Sequence, residues 1–233
     1  PTLVERLEAD ARVRVAVFAG AGGHFSSGLD LKEFYLESRE HIHADTGDGR
    51  EQFYKLIRAM QRGLDALAAS DVVSIAAVEG YCIGAGLDLA AACDLRLAAQ
   101  SAVFSLREAK VAIVADMGSL ARLPALIGMG ATRLLALTGR DVPAAEAHRL
   151  GLVEELYADG PALEAAALAL AAEIAANPRI AVRGTKHILN YVDGHTVAEG
   201  QAYVAAWNAA FMDSRDFREV VQAFLERRKP VFQ

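Results

Sequence analysis

The stretch that most restricts the fold is 72–93, an apolar run interrupted by a glycine-spaced turn. Residues 72–78 have the length and β-branched content of a buried strand. Gly84-Ala85-Gly86 then opens Leu-Asp-Leu-Ala-Ala-Ala-Cys93, whose apolar residues fit a helix. Glycines at a strand-to-helix turn let a ligand approach the backbone, and the first helical N–H groups have no partner within the helix. Such a turn suits an anion or an oxyanion. Asp88 lies just inside the helix. The first expectation is a turn that polarises a carbonyl while nearby carboxylates, Asp88 first among them, move protons.

The rest of the chain reads as an α/β core followed by helices. Residues 1–10 resemble a helix already under way, and 14–20 a buried strand ending in the cluster Gly20-Ala-Gly-Gly23. A second strand-to-helix turn follows, His24-Phe-Ser-Ser-Gly-Leu-Asp30, with Gly28 at the bend. Residues 37–50 are polar and aperiodic, which predicts a mobile loop. His41 and His43 in that loop are a weak metal signal, better read as solvated. Apolar residues from Phe53 to Leu67 recur at three and four, which predicts an amphipathic helix over 51–69.

Strands are expected at 94–99 and 102–106, a loop at 107–116, and helices at 118–127 and 130–138. Asp141-Val-Pro-Ala-Ala-Glu146 predicts a capped helix start with Pro143 in its first turn, and 151–157 a last strand. Helices then cover 162–176, 180–191 and 197–212, and another follows a cap at Ser214. The expected division is a core over 1–160 and a helical C-terminal region over 161–233.

Bulk properties narrow the function. With 233 residues, 53% hydrophobic and 23% charged, the chain can bury a sizeable core. A net charge of −6 argues against general nucleic-acid binding, which depends on neutralising phosphates. Cys82 and Cys93 sit in apolar surroundings without a CxxC pattern, so both are expected to be buried reduced thiols. No metal constellation is visible. The amphipathic, charged start is unlike a secretory leader, and no uninterrupted apolar run reaches the ~18 residues of a membrane span. A soluble protein of the cytoplasm or an organelle matrix is expected.

Several chemistries lose their specific support. Gly84-Ala-Gly-Leu-Asp-Leu89 and Gly20-Ala-Gly-Gly-His-Phe25 both lack the third glycine of the dinucleotide fingerprint. Neither has a P-loop ending, and no G-x-S-x-G elbow exists. What remains is a pair of similar turns, 24–30 and 82–88, each placing a glycine-flanked N–H at the start of a helix. Two converging N–H groups make an oxyanion hole. Two ordinary helix N-termini, with Asp30 and Asp88 merely favourable near the dipole, would give the same pattern.

The motifs in combination resemble the crotonase superfamily, the enoyl-CoA hydratase/isomerases. They are His24-Phe-Ser-Ser-Gly-Leu-Asp-Leu-Lys-Glu, Cys82-Ile-Gly-Ala-Gly-Leu-Asp-Leu-Ala-Ala-Ala-Cys-Asp-Leu-Arg and Gly118-Ser-Leu-Ala-Arg-Leu-Pro-Ala-Leu-Ile-Gly128. Ala144-Ala-Glu-Ala-His-Arg-Leu-Gly-Leu-Val153 and the Arg-Arg-Lys-Pro-Val-Phe tail extend the match in order along the chain. The resemblance implies a spiral of ββα units with two sheets, a helical trimerisation region, and a homotrimer or a hexamer built as a dimer of trimers. It implies an acyl-CoA substrate, with CoA arriving in the thioester and no separate cofactor.

The resemblance also assigns residues. The backbone N–H groups of Leu29 and Ala85 would bind the thioester oxygen. Ser27, Gly28, Asp30, Gly84 and Gly86 would surround substrate, Lys32 would meet CoA phosphates, and Lys229 and Phe232 would close a pocket, its own or a neighbouring subunit's; a solvated basic end is the competing reading of the tail. A strand and an Asn-Arg-Pro-type turn are expected ahead of the first helix, holding part of the CoA nucleotide.

Within the superfamily the acids distinguish the reaction. Hydratases look for two glutamates, here Asp88 and Glu108; the first is shorter by one methylene, which weakens simple hydration. Asp116 stands where hydratases usually carry glycine. The trio Asp88, Glu108 and Asp116 resembles Δ3,5-Δ2,4-dienoyl-CoA isomerase, whose reaction needs acid–base groups at C2 and C6. Glu108 and Asp116 are the expected proton-transfer pair, with Asp88 tuning their charge. For Asp116 a simple helix cap is the competing reading. Enoyl-CoA hydratase is the alternative activity; a non-catalytic acyl-CoA binder or RNA-binding relative is the alternative of another class.

Overall fold

The computed structural model describes residues 2–42 and 46–232. Its first sheet has four parallel strands in the order β1 (Val15–Ala19), β2 (Val73–Val78), β4 (Leu95–Ala99) and β7 (Glu155–Tyr157). The second sheet has β3 (Tyr81–Ile83), β5 (Val103–Ser105) and β6 (Asp141–Pro143), with β3 and β5 parallel and β6 antiparallel to β5. Ser26 extends this sheet by a parallel bridge to Cys82.

This pairing makes a spiral. Each turn of chain lays one strand in the first sheet, one in the second, and then a helix. β1 and the Ser26 bridge lead to α2 (Leu31–Ile42), β2 and β3 to α4 (Ala85–Ala92), and β4 and β5 to α5 (Ser119–Thr138). Parallel strands need such crossovers, and covering both faces of the sheet makes β2 apolar throughout: all six of its residues are buried.

Between the layers, Val78, Cys82, Leu87, Phe104, Leu123 and Leu135 form the main core. Cys82 and Cys93 are buried free thiols, as expected, and burial pushes both pKa values up, that of Cys93 to about 12. On the far side of the first sheet, Leu163 and Ala167 of α7 (Gly160–Ala175) pack on Ile75, Ala77 and Leu97. The first helix of the 161–233 region thus covers the core sheet. α8 (Arg179–Val192), α9 (Val197–Phe211) and α10 (Arg215–Glu226) complete the chain. Ser214 caps α10 by accepting from the Phe217 N–H (3.1 Å).

Two expectations are corrected, and one short strand is added. Most of 37–50 is helical: α2 runs to Ile42, and α3 (Gly47–Ala69) starts at a Thr46 cap that accepts from the Gly49 N–H (3.2 Å). His43 lies outside the described residues. α2 is largely exposed, so no apolar stripe announces it, and Glu37, Arg39 and Glu40 are simply good helix formers. Asp141 does not cap a helix; it belongs to β6 and pairs with Arg107 (2.7 Å), and α6 (Ala144–Leu150) begins after Pro143. β3 has only three residues, too few for an alternation to show.

The two helices expected over 118–138 run together as α5 across a kink at Gly128 (φ 76°, ψ 156°). By length and composition α5 could cross a bilayer. It is bent, however, carries Arg122 and Arg133, and buries Leu123, Ile127 and Leu135 in the core. α1 (Thr2–Ala9) opens the described chain.

Candidate active site

The two glycine turns lie side by side. The Phe25 N–H donates to Glu79 O (2.8 Å), the Ser26 N–H to Tyr81 O (2.8 Å), and the Ile83 N–H back to Ser26 O (3.0 Å), so 25–26 runs as a strand along β3. The Tyr81 N–H donates to His24 Nδ1 (3.1 Å), and the two rings stack. Glycine is required where the turns touch. A Cβ at Gly28 (φ 91°) would lie 2.9 Å from Ile83 O and 3.9 Å from Ala85 N. One at Gly86 would lie 2.6 Å from Ser26 Cβ.

Leu29 and Ala85 follow the two bends. Ala85 is the first residue of α4, and among the described residues neither its N–H nor that of Leu29 donates a hydrogen bond. Two unengaged donors on adjacent turns are the raw material of an oxyanion hole.

The three acids gather beside these turns. Glu108 begins the 3-10 turn after β5 (Glu108–Val111), and its Oε1 sits against Gly84: a Cβ there would be 3.2 Å away. Gly84 also has φ 54°, a backbone conformation that strains any side chain there. Among the described residues the other oxygen of Glu108, Oε2, is buried without a hydrogen-bond partner. Burial pushes the Glu108 carboxyl above its ordinary range, and the charges of Asp88 and Asp116 add to that rise.

Asp88 is buried in the first turn of α4, and its Oδ1 accepts from both the N–H (2.6 Å) and the hydroxyl of Ser119. Burial raises its pKa, the Ser119 bonds oppose that rise, and Asp116 reinforces it. Asp116 lies on the loop before α5, and its carbonyl accepts from the Gln61 side chain. It does not cap α5. The position before that helix is Gly118, and the carboxylate serving the first turn is Asp88. Among the described residues the Asp116 carboxylate takes no hydrogen bond or ion pair, which leaves it available to a ligand.

The remaining expected residues divide. Ser27 is exposed on the first turn. Asp30 caps α2, accepting from the Lys32 (3.0 Å) and Glu33 (2.9 Å) N–H groups, so its carboxylate is engaged in structure. Lys32 is exposed. The tail folds back on α10: Arg228 pairs with Glu219 (2.5 Å), and the Val231 N–H donates to the same carboxylate (2.9 Å). Among the described residues no hydrogen bond or ion pair joins Lys229 or Phe232 to the acids. Ser119, Gln61 and Arg122 were not singled out by the sequence. Only the Gly-Ser step at a helix start pointed to one of them.

Fold and site together define a class: spiral α/β proteins with paired backbone donors next to buried carboxylates. The model of the enoyl-CoA hydratase/isomerase family matches residues 2–233, and the chain belongs to that family. The chain is 36% identical over 232 residues to Delta(3,5)-Delta(2,4)-dienoyl-CoA isomerase, mitochondrial, of Dictyostelium discoideum, covering 100% of this chain and 79% of that one. It is 37% identical over 233 residues to the peroxisomal protein of that name from Arabidopsis thaliana, covering 100% and 84%. The crystal structure of an enoyl-CoA hydratase from Bacillus anthracis superposes with a TM-score of 0.88 at 31% identity, covering 99% of this chain and 85% of that one.

Proposed function

We propose that this protein is an acyl-CoA isomerase that converts 3,5-dienoyl-CoA to 2,4-dienoyl-CoA. The observation that carries the reading is the Glu108 carboxyl. One oxygen is buried without a partner, the other lies against the Gly84 turn, and Asp88 and Asp116 press on its charge. A structural carboxylate would be paired; this one is poised to trade a proton. The identity to relatives named dienoyl-CoA isomerase supports the same reading.

In this reading the Leu29 and Ala85 N–H groups hold the thioester oxygen. One member of the Glu108–Asp116 pair removes a proton from C2, and the electron pair left there is shared between that oxygen and, through the two carbon–carbon double bonds, C4 and C6. The other member protonates C6, leaving double bonds at C2–C3 and C4–C5. The donors stabilise charge that develops only in the transition state and intermediate. Burial and the neighbouring charges make the Glu108 carboxyl hold its proton more readily than a free one, which suits an acid in this cycle. CoA arrives with the substrate, and no separate cofactor takes part.

Assembly as a trimer, or a dimer of trimers, is part of the proposal. Phe224 and Leu225 of α10 are 81% and 75% exposed, an apolar surface that a second copy would cover. Sedimentation equilibrium tests it. The organelle matrix stands beside the cytoplasm as a proposed location, since the two isomerase relatives are named mitochondrial and peroxisomal.

Hydration is the second reading, favoured by the overlay with a structure named enoyl-CoA hydratase. Against it, Oδ1 of Asp88 is already held by Ser119, leaving less of that carboxylate to hold a water with Glu108. A spectrophotometric comparison of 3,5-dienoyl-CoA with crotonyl-CoA decides. Faster turnover of the dienoyl thioester is expected. Faster crotonyl-CoA hydration would replace the isomerase reading, and binding without turnover of either would point to a non-catalytic binder.

A further inference from the structure

Asp88 lies in α4, yet the helix it caps is α5. Ser119, the first residue of α5, presents its N–H and its hydroxyl to the same oxygen of Asp88, and both side chains are shut away from water (1% and 0% exposed). Gly118 ahead of it has no side chain with which to cap the helix, so a carboxylate from another element does so. Asp116 stands two residues before Gly118, so this contact also fixes where its loop enters α5. The Gln61 side chain holds the Asp116 carbonyl, and Arg122 Nη1 donates weakly to Met117 O (3.4 Å).

We propose that Ser119 is a positioning residue for proton transfer. Its two donors fasten Asp88 so that α4, bearing the Ala85 turn, and the loop bearing Asp116 keep one register, with Asp88 held as a fixed neighbour of the reacting pair. The proposal rests on the reading of Glu108 and Asp116 as the acids of an isomerase. The hydroxyl is the informative part. The backbone N–H alone would still cap α5, so removing the hydroxyl leaves the fold its cap while a buried carboxylate loses one of two donors. A carboxylate with fewer donors holds its proton to higher pH. The charged and titratable groups facing Asp88 are Asp116 from the loop, Arg122 from α5, Glu108 from the 3-10 turn and Cys82 from β3.

The test compares Ser119→Ala and Ser119→Thr with the wild-type protein. Turnover of 3,5-dienoyl-CoA is followed against pH, and the Asp88 carboxyl is titrated by carbon NMR with Asp88→Asn identifying its signal. For Ser119→Ala, kcat should fall roughly tenfold with KM within about twofold, the pattern of an interaction that serves the transition state. The Asp88 titration should move to higher pH, and Ser119→Thr should restore both kcat and the titration. Unchanged kcat in Ser119→Ala, or equal losses in both variants with no pH shift, would overturn the proposal. Should the wild-type protein fail to isomerise the dienoyl thioester, the isomerase reading falls by itself. The NMR titration then decides alone, and an Asp88 signal unmoved in Ser119→Ala overturns the role of Ser119.

Discussion

Replacing Glu108 with Gln should slow the enzyme and stabilise it. Burial lifts the Glu108 carboxyl above its ordinary range, the charges of Asp88 and Asp116 push the same way, and one oxygen has no partner. The folded protein therefore holds this proton more tightly than the unfolded chain does. For a carboxyl shifted in that direction, the stabilising contribution is fully present below the unfolded pKa and is lost as pH rises through the folded one. Above both values, each unit of difference costs about 1.4 kcal/mol, and an unpaired buried polar atom costs about 1–3 kcal/mol.

Glutamine keeps the shape and removes the charge, though its amide inherits part of the unpaired burial. The net gain expected at pH 8 is on the order of 1 kcal/mol, or roughly 2–4 °C in Tm for a chain of this size. Near pH 4, where Glu108 is largely protonated in both states, the gain should disappear. The kcat for dienoyl-CoA should drop by about 10²–10⁴. Thermal unfolding at the two pH values, at one protomer concentration because assembly feeds into Tm, provides the measurement. A variant less stable than wild type at pH 8, or equally advantaged at both pH values, would refute the electrostatic argument. Full retained activity would remove Glu108 from the chemistry.

Asp116→Asn should cut isomerisation by about 100-fold or more while calorimetry shows acyl-CoA binding largely intact; undiminished isomerisation would leave Glu108 without its partner. Gly86→Ala should cost about 1–3 kcal/mol in urea unfolding and lower kcat, because its Cβ would meet Ser26 Cβ at 2.6 Å. Adding Ser26→Gly should recover much of both, and no recovery would mean the turns are not pressed together as described. Arg96→Met should cost on the order of 3 kcal/mol, since buried Arg96 pairs with Glu154 and donates to Leu152 O and Cys93 O. An unfolding midpoint close to that of wild type would contradict that packing.

The strand-and-turn elements were legible because local physics fixes them. The apolar run of β2, the glycine bends and the capped start of α10 each carry their signal within a few residues. The segment over 37–50 was not legible, because an exposed helix shows no apolar period, and Asp141 looked like a cap although its partner Arg107 lies 34 residues earlier in the chain. Asp88 was the most instructive case. As an acid in the first turn of α4 it suits that helix's dipole, but its carboxylate is engaged at the start of α5.

By itself, the sequence determined the α/β character, the two glycine turns, the three acids and the family resemblance, because glycine placement, apolar period and motif spacing are properties of neighbours along the chain. Only the tertiary structure decided which acid is fastened and which is left poised. That division depends on Ser119 reaching Asp88 across 31 residues and on Glu108 Oε2 being enclosed without a donor. The cost of burying a charge is set by what surrounds it, and those surroundings exist only once the spiral has closed.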